Sequence, residues 1–190
     1  DKVIIAQEKK QGIPFARNCG LNLANTEFVT FLDADDKFHK DKLETLTKVL
    51  DDNSEAAMAF GLTERIYTNS DKVVIQDTGV AKDGLNYPPT LAIDWIKTFY
   101  RLPQTGATLI RTDVARNIGG FNKELLLGND DVGFHLNLAF NYPIYFVPKV
   151  AVHYYRHSES AGAKLNKELS VQKRYFDAHA NFVYPTASIF

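Results

Sequence analysis

The stretch that decides the fold reads Gly12-Ile13-Pro14-Phe15-Ala16-Arg17-Asn18-Cys19-Gly20-Leu21, runs on to Ala24, and resumes as Glu27-Phe28-Val29-Thr30-Phe31-Leu32-Asp33-Ala34-Asp35-Asp36. Pro14 suits the first position of a helix, where its missing N–H costs nothing. Helical spacing of Ala16, Cys19, Gly20 and Leu23 predicts a helix over Phe15 to Ala24 with that stripe packed inward. Glu27 to Leu32 is short, aromatic and β-branched, the pattern of a buried central strand in a parallel sheet. Ligands of open α/β sheets bind beyond the carboxyl ends of such strands. Residues i and i+2 of an extended chain point the same way, so Asp33 and Asp35 can address one ligand together. Carboxylate oxygens suit Mg²⁺ or Mn²⁺, and such a metal can bridge to a diphosphate. The plainer alternative is an acidic turn favoured by the N-terminus of the following helix. A calcium loop of the EF-hand kind fails, because the glycine and terminal Glu of that loop are missing.

Outward from this core, Val3 to Ala6 is a short apolar run. Leu43, Leu46, Val49 and Leu50 mark an amphipathic helix over Asp41 to Leu50. Ala56 to Leu62 reads as a second apolar strand, and Ile66 to Gln76 as a hairpin turning at Asn69-Ser70-Asp71. Residues 78 to 103 carry Pro88, Pro89 and Pro103 around a short helix from Leu91 to Tyr100. Tyr87, Trp95, Phe99 and Tyr100 in this stretch either stack on a ligand or serve a core or lid. A strand from Gln104 to Ile110 follows, then a short helix Asp113 to Ile118 capped by Thr112 and stopped by Gly119-Gly120. The pattern continues with a helix from Asp130 to Phe140, an extended run from Ile144 to Val152, and a long helix from Lys164 to Asn181. Strands alternating with helices at this pitch indicate an α/β domain.

Composition narrows the function classes. The 190 residues are 45% hydrophobic and 24% charged with a formal net charge of -1, which advertises no surface for nucleic acid or anionic lipid. No run of 18 apolar residues is present to span a bilayer, and the N-terminal stretch has the wrong flanks for a signal peptide. Cys19 is the single cysteine, so neither an internal disulfide nor a cysteine zinc cluster forms within the chain; Cys19 reads as a packed residue. A cytoplasmic setting is the expectation.

The quoted stretch resembles the core signature of the family 2 glycosyltransferases, which runs roughly G-x-x-x-A-R-N-x-G-L…A…E-[YF]-[IV]-x-F-L-D-x-D-D. The resemblance covers some two dozen residues in register, which is far more specific than Asp-x-Asp alone. A second block agrees: Thr105-Gly106-Ala107-Thr108-Leu109-Ile110-Arg111, then Ile118-Gly119-Gly120-Phe121-Asn122, then Gly128-Asn129-Asp130-Asp131. Pro143 to Pro148 and Tyr154-Tyr155-Arg156-His157 resemble the closing strands, so the likeness spans about residues 3 to 160.

The resemblance implies a GT-A fold: a mostly parallel central sheet flanked by helices, in one domain over residues 1–160 with a C-terminal helix and tail over 161–190. It also implies an inverting enzyme that uses a nucleotide-diphosphate sugar donor and a glycan or lipid-linked acceptor, with Mn²⁺ or Mg²⁺ as cofactor and no nucleic acid partner. Bacterial surface polysaccharide assembly, at the inner face of the membrane and peripheral to it, is the usual setting. Carried over by residue, Asp131 is the general base, Asp35 a metal ligand, and Asp33 a contact to the ribose or to the metal's water. Arg17 and Asn18 lie beside the nucleotide, with an internal salt bridge as the alternative for Arg17. Arg156 reaches the diphosphate, and His157 supplies a metal or phosphate contact or is merely structural. Asp130 stands where the family usually has Glu, and Asn137 where an Arg is common; Asp130 is expected to hold the helix start. The family's opening strand, with its P-T-Y-N-like turn, and its base-gripping acidic strand have no match in these residues, which implies an N-terminally incomplete domain. For Asp131 the alternative is a helix-capping acid.

Two other function classes compete. A phosphohydrolase of the haloacid dehalogenase type also places Asp-x-Asp after a strand, but Lys37 occupies the position where it needs Thr or Val. A non-catalytic or truncated transferase-like module that binds without turnover is the second, and retained nucleotide-dependent hydrolysis would separate it from an enzyme.

Overall fold

The computed structural model describes residues 3–70, 72–125 and 130–157. Helix α1 (Ile13–Leu23) begins with Pro14 in its first turn, as the sequence predicts. After it come β1 (Phe28–Val29), β2 (Lys37–Phe38), α2 (Lys42–Asp52), β3 (Met58–Tyr67), β4 (Val73–Ile75) and β5 (Gly84–Asn86). Helix α3 (Thr90–Lys97), two short 3₁₀ turns, β6 (Thr108–Arg111), α4 (Thr112–Asn117), α5 (Asp130–Asn141) and β7 (Ile144–Arg156) complete the order. The expected helix from Lys164 to Asn181, together with Asp71, Gly128 and Asn129, lies outside the described residues.

The α/β class holds, but the sheet is mixed rather than mostly parallel. Its order is β1-β6-β3-β7-β2, with β4 added to β3 and β5 to β7. Only β3 and β7 pair in parallel among the described residues, whereas β1–β6, β3–β6, β3–β4, β5–β7 and β2–β7 are antiparallel. Part of the reason is local: β3 and β4 form the predicted hairpin, which pairs antiparallel by its connection. Gly61 lets β3 and β7 close up where their register shifts, since a Cβ there would lie 2.6 Å from the Lys149 carbonyl oxygen.

Several local expectations are corrected. The run from Glu27 to Leu32 shrinks to β1, a half-buried strand whose only ladder partner among the described residues is β6, so it is not a buried central strand. Val3, Ile4 and Ile5 join no strand and are exposed. On α1 the buried residues are Pro14, Asn18 and Leu21, while Ala16, Gly20 and Leu23 are exposed and Cys19 is half-buried. Asn18 is drawn inward by backbone hydrogen bonds that a count of apolar residues does not register. Gln104 to Ile110 splits into a 3₁₀ turn (Thr105–Ala107) and β6. Thr112 makes no side-chain cap for α4; its hydroxyl is buried without a hydrogen-bond partner among the described residues.

The core lies between the sheet and helices α3 and α5, with Trp95 edge-on to Phe60 (centroids 5.9 Å apart) and Phe60 against Phe146 (4.9 Å). On the α2 side a smaller cluster gathers Leu46, Leu50, Ala59 and Leu109. Lys42, in the first turn of α2, is buried; its Nζ donates to Thr30 Oγ1 (2.6 Å) and sits 3.7 Å from the Phe38 ring centroid. Burial pushes its pKa down to about 7. Thr30 in turn donates to the Thr108 carbonyl (2.7 Å), which fastens the segment that leads into Asp33.

Candidate functional site

Phe121 is the hub on which the acidic residues are assembled. The Asn18 amide grips its backbone from both sides, donating to the Phe121 carbonyl (2.7 Å) and accepting from the Phe121 N–H (2.9 Å). The Phe121 ring stacks on Phe134 of α5 (4.2 Å) and meets the edge of Phe31 (5.0 Å), two residues before Asp33. Arg17 lies 5.4 Å over the same ring. Three sequence-distant segments are thereby fixed together: α1, the strand leading to the acidic turn, and the start of α5. Asn18, expected beside the nucleotide, thus spends its amide on building the site.

Gly120 makes this clamp possible. It adopts φ 68°, and a Cβ there would collide with the Asn18 side-chain oxygen. We expect Gly120→Ala to cost roughly 1–3 kcal/mol, from left-handed strain plus damage to the clamp. Urea unfolding checks this, and an unchanged midpoint would refute it.

The acids at 33–36 form a turn closed by the Asp36 N–H to the Asp33 carbonyl (3.1 Å), not an extended chain. The turn overrides the expected alternation and splits Asp33 from Asp35. Asp33 accepts from Arg17 Nη2 (3.0 Å), whereas Asp35 lies 3.0 Å from His157 Nε2 at the end of β7. Asp36 is buried and accepts from the Tyr155 N–H (3.1 Å). Burial pushes its pKa up to about 7; the Tyr155 bond opposes this, and the neighbouring Asp35 and Asp33 add to it.

Arg17 bridges the turn to α5. Its other arm donates to Asp130 Oδ2 (2.9 Å), and Asp130 is only 1% exposed. The internal salt bridge is therefore the observed state of Arg17, and Asp130 does hold the start of α5. Burial alone would pull the Arg17 pKa down, but Asp131, Asp130 and Asp33 outweigh it and raise it. Burial likewise raises the Asp130 pKa against the pull of Arg17. Asp131, the next residue on the helix, is half-buried and has no ion pair among the described residues; its Oδ1 accepts only from the Val132 N–H (2.9 Å). Burial pushes its pKa up to about 6, with Arg17 pulling down and Asp130 pushing further up. A carboxylate tuned toward neutrality and not committed to a salt bridge has the properties of a general base.

Arg156 is brought near this corner but stacks over the Tyr67 ring (5.7 Å), and alternation along β7 separates it from His157. Asn137 donates to the Ile118 carbonyl (3.5 Å). Sequence reasoning missed Asp36, the His153–Glu64 pair (2.6 Å) and the buried His135, whose pKa burial lowers to about 3. The Asp-Asp at 35–36 was the available signal for the first; the other two depend on strand register and helix packing.

Asp35 and His157 are the residues that could hold a divalent cation. Both are partly exposed, one offers carboxylate oxygen and the other imidazole nitrogen, and they already touch. No set of three His, Cys, Asp or Glu residues suited to a metal occurs among the described residues. Mg²⁺ is commonly held by one or two carboxylates while substrate phosphates and water complete its shell.

Comparison with known proteins points one way. The profile described as Glycosyl transferase family 2 matches residues 1–119. Over 41 residues the chain is 49% identical to the amylovoran biosynthesis glycosyltransferase AmsB of Erwinia amylovora, a match covering 22% of this chain and 14% of that protein. The crystal structure of residues 1–349 of S. aureus TarS superposes with a TM-score of 0.56 at 19% identity, covering 90% of this chain and 52% of that one. Its complex with UDP-GlcNAc gives a TM-score of 0.59 at 20% identity, covering 88% and 44%. The chain thus spans about half the length of these solved structures.

Proposed function

The chain belongs to glycosyl transferase family 2, and from that premise we propose that it transfers a sugar, with inversion, from a nucleotide-diphosphate sugar to a glycan or lipid-linked acceptor. The observation that carries the reading is the assembly around Arg17. Arg17 bridges Asp130 and Asp33; the base candidate Asp131, tuned to about pKa 6, directly follows the first, and Asp35 of the metal-competent Asp35–His157 pair lies two residues after the second. Asp131 takes the proton from the acceptor hydroxyl as that oxygen attacks the anomeric carbon. The departing nucleoside diphosphate leaves from the opposite side of the sugar. Mn²⁺ or Mg²⁺ held by Asp35 and His157 supplies charge neutralisation for that diphosphate when bound. Asp33 orients the donor while Arg17 fixes the Asp33 carboxylate.

Bacterial surface polysaccharide assembly is the proposed setting, supported by the similarity to the amylovoran biosynthesis glycosyltransferase of Erwinia amylovora. No helix of the described residues is long and apolar enough to cross a membrane. Peripheral attachment at the cytoplasmic face is the proposed arrangement for a lipid-linked acceptor.

Thermal melting of the chain with UDP, GDP, CDP and dTDP, each with and without Mn²⁺, tests the donor reading. One nucleotide at a hundred times its dissociation constant should add about 2.7 kcal/mol, seen as a manganese-dependent rise in Tm. Asp35→Asn should abolish the manganese dependence. No shift with any nucleotide would overturn the proposal.

A further inference from the structure

At the ends of β3 and β7 the parallel register places Arg65 opposite Tyr154 and Tyr67 opposite Arg156. Alternation puts all four side chains on one face of this ribbon, with Glu64 and His153 on the other; the 2.6 Å Glu64–His153 contact confirms the second face. Arg156 lies 5.7 Å from the Tyr67 ring and Lys72 lies 5.5 Å from the same ring. Three cations therefore surround one corner, and none has a carboxylate partner among the described residues. Arg65 Nε is buried and makes no hydrogen bond. Burial, then the neighbouring Arg156, lowers the Arg65 pKa from its ordinary value.

Two guanidinium groups held close, one with a buried donor unused, form an unstable arrangement unless an anion joins them. The chain's other arginines in ion pairs, Arg17, Arg101 and Arg111, each have a carboxylate at about 3 Å. Arg116 has no carboxylate either, but donates to the Leu21 carbonyl (2.9 Å); the side chains of Arg65 and Arg156 have neither kind of acceptor among the described residues.

We propose that Arg65 and Arg156, with Lys72 at the rim, bind a phosphate group carried by the sugar acceptor. Two guanidinium forks match the several equivalent oxygens of a phosphate, whereas a carboxylate is satisfied by one fork. Strand alternation sets the corner on the face away from His157 and its partner Asp35, so the phosphate it takes is not the donor's diphosphate. Tyr155, between Tyr154 and Arg156 on β7, donates its N–H to Asp36 (3.1 Å), which ties this end of the ribbon to the acidic turn and keeps the corner beside the donor site. The acceptor class is then a phosphate-containing glycan or a phosphate-linked lipid carrier. This assignment rests on the transferase reading for the word acceptor, but the anion site itself does not.

Inorganic phosphate, titrated without metal into the chain, should move the arginine Nε–H resonances of Arg65 and Arg156 in ¹H–¹⁵N spectra. Arg65→Gln should weaken phosphate binding about tenfold or more and leave the nucleotide- and Mn²⁺-dependent melting shift unchanged. Unmoved resonances would overturn the proposal, as would an Arg65→Gln variant that loses nucleotide and phosphate binding alike. Should the variant fail to fold, the titration of the unaltered chain decides alone. Phosphate binding without any nucleotide binding would keep this site and sink the donor reading; nucleotide binding without phosphate binding would do the reverse.

Discussion

Asp131→Asn is expected to cut sugar transfer by roughly 10²- to 10⁴-fold, the usual worth of a general base, with the fold intact. Asparagine keeps the side-chain oxygen that accepts from the Val132 N–H but cannot take a proton. The sign of the pH effect follows from the raised pKa. The carboxylate is the working form, so the unaltered chain should lose rate tenfold per unit below about pH 6, where Asp131 becomes protonated. An ordinary aspartate would hold its rate about two units lower. Stability moves the other way. An acid whose pKa is raised by folding costs stability once it is ionised, above about pH 6, so Asp131→Asn should be no less stable than the parent at pH 7. Initial rates from pH 5 to 8 for both proteins measure this. A variant within a few fold of the parent, or an acid limb that survives in the variant, would remove Asp131 from the mechanism.

Arg17→Met should be the most damaging single change to stability, at about 3–5 kcal/mol. It strands Asp130 as a buried charge without its counter-ion, and breaking one side of a buried pair costs that much. Because whole domains are stable by only about 5–15 kcal/mol, the loss should be plain in a urea or thermal melt. Acid should relieve it, since protonating Asp130 removes the stranded charge. Arg17→Lys should recover little, because one ammonium cannot place a separate arm on Asp33 and on Asp130. The double variant Arg17→Met/Asp130→Asn should be more stable than Arg17→Met alone, a coupling that a double-mutant cycle measures. Equal stability of Arg17→Met and the parent would mean that the bridge contributes nothing. Where enough Arg17→Met folds to assay, its acid limb should move up in pH, since Arg17 is the group that holds the Asp131 pKa down.

How much was legible differs from residue to residue. Helix α1 was readable because Pro14 and the spacing of its residues are local signals, and so was the hairpin turning after Tyr67. Gly119-Gly120 after α4 was readable for the same reason: both adopt positive φ, 87° and 68°, and glycine does so freely. The alternatives left open for Arg17 were resolved by its two ion pairs. What misled was apolar content. The apolar run before Asp33 suggested a central parallel strand, but such a run reports burial and not which strand lies alongside. The apolar stripe on α1 misled in the same way, because Asn18 gains more from the Phe121 backbone than Ala16 or Gly20 would gain from burial.

By itself, then, the sequence determined helices α1 to α5 and the strands β3 and β7, though not the short β2 and β5, together with the acidic cluster at 33–36 and the acid pair that opens α5. Those features follow from short-range rules of capping, periodicity and backbone preference. Only the tertiary structure decided the partner of each acid: Asp33 and Asp130 to Arg17, Asp35 to His157, Asp36 to the Tyr155 N–H, and Asp131 to no cation among the described residues. It also decided that Arg65 and Arg156 share one face. Pairings of this kind depend on strand register and on the docking of Phe121 between Phe31 and Phe134, which join residues roughly a hundred positions apart, and no local rule of the chain encodes them.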